Sequence, residues 1–550
     1  MNDPIDDAAA DFVKVRMYRG ILGDCFLLTT CIAGETRYAL IDCGVLQHVP
    51  AGDALLKKLP PEVRKKVGEA RLKAVQAGPE QIKRIVANII DTTKHHLHLL
   101  ILTHEHFDHL CGFHYAKEMF LDKSVVIDRL WMAWTEDPAD PQAQRLRARF
   151  AIGRTAVANA LAMAPELAAV GGHPLAIAEG LAAFVGLAEE VAPKPGSKRS
   201  AAATGQPRSN STRGMIEQMQ LKVGAASTFY LAPGQVVAGA EGVGLTTYVL
   251  GPPRDEALLQ KDAPSAGGAK EVYLTHTDDA VALSSAVAAS ARRLKVASAV
   301  RAEAPDQPFA RPHRWGDGKA PGPDDPRAKL VELYQEREEA YRKIDHAWVG
   351  AAEALALKMD SDTNNTSLAL AMELPGGQVL LFPGDAQVGN WLSWRSQDYP
   401  SPARPGESVV TIDDLLRRVV FYKVGHHGSD NATLKELGLR KMVGGRLTAA
   451  IPVVEAVAAV QGAGSKVPGA GWRMPHPPLH ADLVERTEGR IVQGDGDPAA
   501  EAKAFKENPT HPKHPVQVQH QSEDGGLWVE LTFPIEADSK AKSRSAFARS

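Results

Sequence analysis

The segment LLILTHEHFDHLCGF most limits what this chain can become, because it sets His104, His106, Asp108 and His109 in the pattern H-x-H-x-D-H directly behind an apolar run. With 19 histidines in 550 residues, chance supplies that pattern in roughly one chain in a thousand. In an extended segment residues two apart point the same way, so His104 and His106 can offer imidazoles to one metal ion. Asp108 and His109 fall on the turn into the next helix, where a hard carboxylate oxygen and another imidazole can hold a second ion nearby. A merely solvated histidine cluster would have no reason to keep this spacing. The pattern demands a fold that ends a buried strand at a metal-binding turn.

The flanking sequence supplies such a fold. FVKVRMY (Phe12 to Tyr18), CFLLTT and RYALIDCG alternate as sheet strands. Gly78-Pro79 opens a helix whose Ile82, Ile85, Val86, Ile89 and Ile90 form one apolar stripe, and it delivers the chain to the strand LLILT, Leu99 to Thr103. SVVIDRLWMAW reads as the next strand, and strand character returns at FYLAPGQVV, GLTTYVLGPP, SLALAMEL, QVLLFPGD, RVVFYKVGHHG and LWVELTF. Between these lie two insertions. The Ala- and Leu-rich stretch from about Gln142 to Ala192 predicts helices, followed by a polar, basic linker from Gly196 to Gly214 that carries Lys198, Arg199, Arg208 and Arg213. The second insertion, beyond Pro253, holds a Pro/Gly/Asp-rich piece and a charged helix from about Arg327 to Lys358. The tail after Pro534 is polar and is expected to fray.

Composition excludes several classes. At 44% hydrophobic and 23% charged the chain is not mostly disordered, and 550 residues exceed one ordinary domain. The 63 basic and 66 acidic residues leave a net charge of -3, so binding to nucleic acid or an acidic membrane would have to be local. The acidic N-terminus MNDPIDDAAADF lacks an apolar core, and no apolar run is long enough to span a bilayer. The four cysteines, Cys25, Cys31, Cys43 and Cys111, have no paired-motif spacing, so disulfides are not expected and a reducing cytoplasm is. Cys111 reads as a small buried side chain, and Trp348, Trp391 and Trp394 as packing residues. His95, His96 and His98 read as an exposed helix-to-strand turn. His476 and His480 in MPHPPLH stand beside prolines from which they could reach a groove.

The motif set resembles the metallo-β-lactamase superfamily. VKVRMYRGILGDCFLLTT and YALIDCG look like its opening strands, LLFPGDAQ (Leu380 to Gln387) like its bridging-aspartate motif, and KVGHHGSDNAT (Lys423 to Thr433) like its closing histidine motif. H-H-G-S, with N-N-T-S-L-A-L before G-D-A, is most similar to the ComEC-like subgroup of bacterial hydrolases. The resemblance implies an α+β fold, an αββα sandwich of two packed mixed sheets flanked by helices. Its first half would span residues 1–141, its middle strands 226–253 and its second half 361–534. The insertions would then occupy 142–225 and 254–360, with a disordered tail at 535–550.

The resemblance also implies a site. Asp385 would bridge two metal ions held by His104, His106, Asp108, His109 and one of His426 and His427, the other facing substrate or a developing oxyanion. Asp108, His426 and His427 would serve catalysis, and Asp42 would orient a ligand histidine. Gly428 and Ser429 would either admit a phosphate to the backbone or cap a helix. The superfamily often adds a histidine between the first motif and the aspartate. Here the candidates, His173, His276, His313 and His346, sit in no convincing motif, and Asn365, or less favourably Asn364, would line the site instead. That leaves manganese open beside zinc as the expected pair of divalent ions.

Two divalent ions, two carboxylates and one hydroxide leave a formal charge of about +1, which suits an anionic substrate. The expected activity is metal-dependent hydrolysis, first of a phosphodiester in DNA, RNA or a nucleotide. The alternatives are a small-molecule hydrolase acting on a cyclic nucleotide, a lactone or another ester, and a non-catalytic module that binds a protein partner through the insertions.

Overall fold

The computed structural model describes residues 11–46, 51–67, 75–76, 78–151, 153, 211–261, 322, 324–326, 328–329, 332, 358–400, 409–461, 471–521 and 526–535. By contacts the chain divides into two compact units, one of Met1–Gln144, Ala201–Leu274 and Ser361–Ser550, the other of Arg145–Ser200 and Thr275–Asp360. The first unit carries the sheets. Its strands, in chain order, begin with β1 (Phe12–Tyr18), β2 (Cys25–Ile32), β3 (Glu35–Cys43), β4 (His96–Leu97), β5 (Leu99–Ile101), β6 (Val126–Ile127), β7 (Leu130–Ala133), β8 (Thr228–Leu231), β9 (Val236–Val237) and β10 (Thr246–Gly251). They continue with β11 (Ala369–Glu373), β12 (Val379–Phe382), β13 (Asp398–Tyr399), β14 (Val410–Thr411), β15 (Val419–Lys423), β16 (Thr448–Ile451), β17 (Ile491–Gln493), β18 (Gln517–His520) and β19 (Trp528–Pro534).

Two large sheets result, an eight-stranded one in the order β18-β19-β1-β2-β3-β5-β7-β8 and a seven-stranded one in the order β17-β16-β15-β12-β11-β10-β9. Each is half antiparallel and half parallel. In the first sheet β3, β5, β7 and β8 run parallel, and in the second β12, β15, β16 and β17 do. Alternation decides which side chains meet. Val13 and Val15, Phe26 and Leu28, and Leu99 and Ile101 from the first sheet share one buried core with Leu370 and Met372, Leu380 and Phe382, and Phe421 from the second. Phe26 meets Phe382 edge-on at 6.0 Å, and Phe421 meets Phe533 at 6.0 Å.

The opposite face of the first sheet, with Leu27, Leu40, Leu100 and Met132, is covered by the helix Gly78–Thr93 through the stripe Ile82, Ile85, Val86 and Ile89. Burying such a stripe is what holds an amphipathic helix in place. The observed class is therefore α+β, with mixed sheets and helices.

Two expectations change. SVVIDRLWMAW is not one strand: β6 pairs with β4 in a separate two-stranded sheet, and β7 enters the large sheet beside β5. The linker expected to run to Gly214 ends earlier among the described residues, because a helix spans Thr212–Val223. Met215, Ile216 and Met219 recur at helical spacing and drop into the core under the first sheet. Lys198, Arg199 and Arg208, most of the charged helix, Trp348 and the tail beyond residue 535 lie outside the described residues. Among the described residues all four cysteines are free, and no helix is long and apolar enough to cross a membrane.

Candidate metal centre

The parallel halves of both sheets end at one place. His104 to His109 follow β5, Asp385 follows β12, and His426 and His427 follow β15. Ligand sites form where parallel strands end, because the connecting loops diverge there and leave side chains free to converge. A backbone bond from Leu368 N to Thr103 O (2.9 Å) ties the end of β5 to the segment leading into β11.

Asp42 sets the first half of the site. Its carboxylate accepts from Thr103 N (2.8 Å) and Thr103 Oγ1 (2.6 Å) and lies 2.7 Å from His109 Nδ1. The ring proton of His109 is thereby assigned to Nδ1, which leaves Nε2 as the coordinating atom, 3.1 Å from Asp385 Oδ2. Thr103 Oγ1 donates to Asp42 and so accepts from His104 Nδ1 at 3.0 Å. His104 Nε2 is then free to bind, and it faces His106 Nδ1 at 3.0 Å. Gly44 makes the turn possible, since a Cβ there would stand 2.2 Å from the carbonyl oxygen of Asp108.

The second half closes on the first. His427 Nδ1 donates to Pro452 O at 3.0 Å, and Nε2 lies 2.9 Å from Asp108 Oδ2 and 3.6 Å from Asp385 Oδ2. Of the two adjacent histidines, His427 is thus the one placed among the coordinating atoms. His426 and His427 both have positive φ, 44° and 52°. Such backbone is uncommon outside glycine and here turns the two rings in different directions. His426 Nδ1 lies 2.9 Å from Ser429 Oγ, which itself donates to Asn431. Its Nε2 is buried without a hydrogen-bond partner.

Two residues of the site carried no sequence expectation. Asp24, just before β2, and Lys423, the last residue of β15, form a buried ion pair, and Lys423 Nζ also reaches Asp385 Oδ1 at 2.9 Å. The available signals were faint: an acidic residue next to a glycine, and a lysine closing an otherwise apolar strand. Asp24, His109, Asp385 and His427 form a buried group whose candidate ligand atoms all lie within 4.8 Å of one another. Within that group Asp24 is turned to Lys423, whereas Asp108 is the carboxylate nearest His427 Nε2.

Asn365 does not line the site. Its side chain accepts from Gln387 N and Asn390 N, each at 3.2 Å, and donates to Lys261 O at 2.8 Å, so it braces the loop that follows Asp385. It reaches that loop because strand β11, which it precedes, is antiparallel to β12 and so begins where β12 ends. His173, His276, His313 and His346 lie outside the described residues. Arg213, expected on a basic linker, pairs instead with Glu136 and Glu105 beside the first motif. Cys111 is buried, with its Sγ bonded to Val45 N and O, and Trp391 and Trp394 stack in the interior. The backbone of His476 is bonded to Gly428 O at 2.7 Å, so the MPHPPLH segment packs on the His426–His427 turn.

The burial of these groups shapes their protonation. Desolvation drives His104 well below the ordinary histidine value and His106 down to about 4, and it lowers His426 as well. All three are neutral, which His104 and His106 require to act as ligands. His109 and His427 are raised despite desolvation, because Asp385 and neighbouring carboxylates favour their charged forms. Burial pushes Asp108 and Asp385 up, but His427 and His109 beside the one and Lys423 beside the other outweigh it and hold both carboxyls below the usual range.

The residues fit a divalent metal. Zinc takes imidazole and carboxylate ligands at about 2.0–2.2 Å, so neighbouring ligands of one tetrahedral ion stand about 3.4 Å apart. The pairs His104–His106, His109–Asp385 and Asp108–His427 stand 3.0, 3.1 and 2.9 Å apart. A second group, His96, His98 and Asp128, also has metal-compatible side chains. His96 lies on β4, His98 between β4 and β5 and Asp128 just past β6, and His98 Nδ1 accepts from Tyr38 N at 3.2 Å.

Two mixed sheets ending in a buried histidine and aspartate cluster define a metal-binding α+β protein. Residues 91–197 match the family model described as the metallo-beta-lactamase superfamily, a span that includes the whole H-x-H-x-D-H segment. Together, the match and the side-chain group indicate a metal-dependent hydrolase. No curated protein matches the chain.

Proposed function

We propose that this protein is a dinuclear metallo-hydrolase on an αββα sandwich, related to the ComEC-like subgroup, and that it cleaves phosphodiesters. The observation that supports this best is the convergence of His104, His106, Asp108, His109, Asp385 and His427, each no more than 5% exposed, from the ends of two sheets. His104 and His106 would hold one ion and Asp108, His109 and His427 the other, with Asp385 Oδ2 between them. Bound ions supply Lewis acidity and a water whose pKa is brought toward neutrality.

The chain's own groups do the rest. Asp42 holds the Nδ1 proton of His109 and so aims Nε2 at the site. His426, neutral and with Nε2 unpartnered, is set to accept a proton or hydrogen bond from a group entering the site. The phosphoryl charge would be met by the ions themselves.

The burial of every ligand favours a second reading, a small ester or cyclic nucleotide, because little of the set is open to a long polymer. Elemental analysis of the purified protein, paired with cleavage of bis-p-nitrophenyl phosphate and linear DNA with and without added manganese, decides between them. Two ions per chain with metal-dependent turnover of either, abolished by Asp385→Asn, is the expected result. Turnover of the small diester alone selects the second reading. Turnover that survives Asp385→Asn overturns both.

A further inference from the structure

Lys423 closes an apolar strand, yet its ammonium is buried where charge is costly. All three of its donors are engaged: Gly384 O at 2.8 Å, Asp385 Oδ1 at 2.9 Å, and the carboxylate of Asp24. Asp385 Oδ1 accepts a second bond, from His426 N at 3.0 Å. Among the described residues the other oxygen, Oδ2, faces the ring nitrogens His109 Nε2 at 3.1 Å and His427 Nε2 at 3.6 Å, the atoms that would coordinate.

A buried ion pair is a poor device for stability, since apolar residues of similar volume often serve as well. Its value lies in where it holds things. Asp24 N donates to Asp108 O (3.0 Å) and Gly44 N donates to Asp24 O (2.9 Å), so the Asp24 backbone is pinned to the H-x-H-x-D-H turn. Lys423 belongs to β15, between β12 and β16. The pair is therefore a strut between the first sheet's half of the site and the second's.

We propose that Lys423 is a positioning residue: by saturating Oδ1 it commits Asp385 to meet metal through Oδ2 alone, and Asp24 is the counter-charge that holds Lys423 to that task. This rests on the metal-site reading above, not on any substrate. A carboxylate so fixed cannot rotate to chelate one ion with both oxygens, which leaves Oδ2 to lie between the two.

The test reads metal binding directly. Wild type, Lys423→Met and the charge-balanced double variant Asp24→Asn/Lys423→Met are compared by elemental analysis, by chelator competition for each ion, and by the visible spectrum after cobalt substitution. The double variant keeps the net charge of the site and leaves Asp385 facing His109 and His427, and near-ultraviolet circular dichroism confirms that it is folded. The expected result is two ions in the wild type and a loss of about 10–100-fold in affinity for at least one ion in the variants, with an altered cobalt spectrum. A folded double variant with lower thermal stability but unchanged affinities and spectrum overturns the proposal and leaves a structural strut. A wild type that takes up no metal overturns the site reading beneath it, which is a different failure and is seen before any variant is made.

Discussion

The chain carries histidine and aspartate clusters at both ends of the β4–β5 run, and they behave differently. At the far end, His96 Nε2 lies 2.8 Å from Asp128 Oδ2, with side chains 43% and 44% exposed. The His96 and His98 rings stack at 4.2 Å. At the near end, His109 and Asp42 make a similar contact at 2.7 Å with both side chains fully buried. The chemistry of the pair is the same, but water screens the first and not the second. The backbone also differs in its demands. Tyr38 N uses His98 Nδ1 as an acceptor, whereas Asp42 and Thr103 engage Nδ1 of His109 and His104 so that Nε2 of each is turned to the other candidate ligands. A metal-compatible list of residues becomes a metal centre only where neighbours fix the tautomers and exclude water.

The sharpest way to break this comparison is to delete a ligand at each end. Asp385→Asn is expected to remove at least one ion and to cut metal-dependent cleavage by about a hundredfold or more, while His98→Ala leaves both unchanged; elemental analysis and initial rates check this. Next in size is Asp42→Asn, which keeps the shape but weakens the acceptor that orients His109. Metal affinity is expected to fall about 10–100-fold by chelator competition.

The pH dependence sharpens the same contrast. His109 and His427 bind protons more tightly than free histidine, so the metal must displace those protons. Apparent affinity should rise with pH above about 6.5, by up to about tenfold per unit for each proton released, and level off once both rings are neutral without metal. Calorimetry in buffers of different ionisation enthalpy counts the protons. A pH-independent affinity would refute the assignment.

Smaller effects follow from packing. Gly44→Ala drives a methyl into the Asp108 backbone and is expected to cost about 1–3 kcal/mol of stability, read from the shift in a denaturant midpoint. Asp128→Asn, at the exposed cluster, is expected to change stability by no more than about 0.5 kcal/mol and leave metal content alone.

Much of the site was legible because it is local. His104, His106, Asp108 and His109 span six positions, so the end of one strand and the turn into the next helix are enough to place them together. Asp385 and the His426–His427 pair came from the resemblance, and the structure brings His427 to Asp108 and leaves His426 with a bare nitrogen. Asp24 and Lys423 were not legible. Nothing near them in sequence signals the other, 399 positions being closed only when the sheet of β15 packs against the sheet of β2. Asn365 and Arg213 misled for the same reason: each has a plausible local role, but its partners come from distant segments. SVVIDRLWMAW likewise reads as one apolar strand, yet the polar Asp128-Arg129 step lets its halves join different sheets.

By itself, then, the sequence determined the alternating strands, the amphipathic helix 78–93 and the spacing of the first metal motif, since these depend on periods of two and 3.6 residues. Only the tertiary structure decided which oxygen of Asp385 faces the ligands, which nitrogen of each histidine is bare, and that a buried lysine and aspartate join the two halves of the site. Those outcomes depend on desolvation and on contacts between strands far apart in the chain, and no local pattern encodes either.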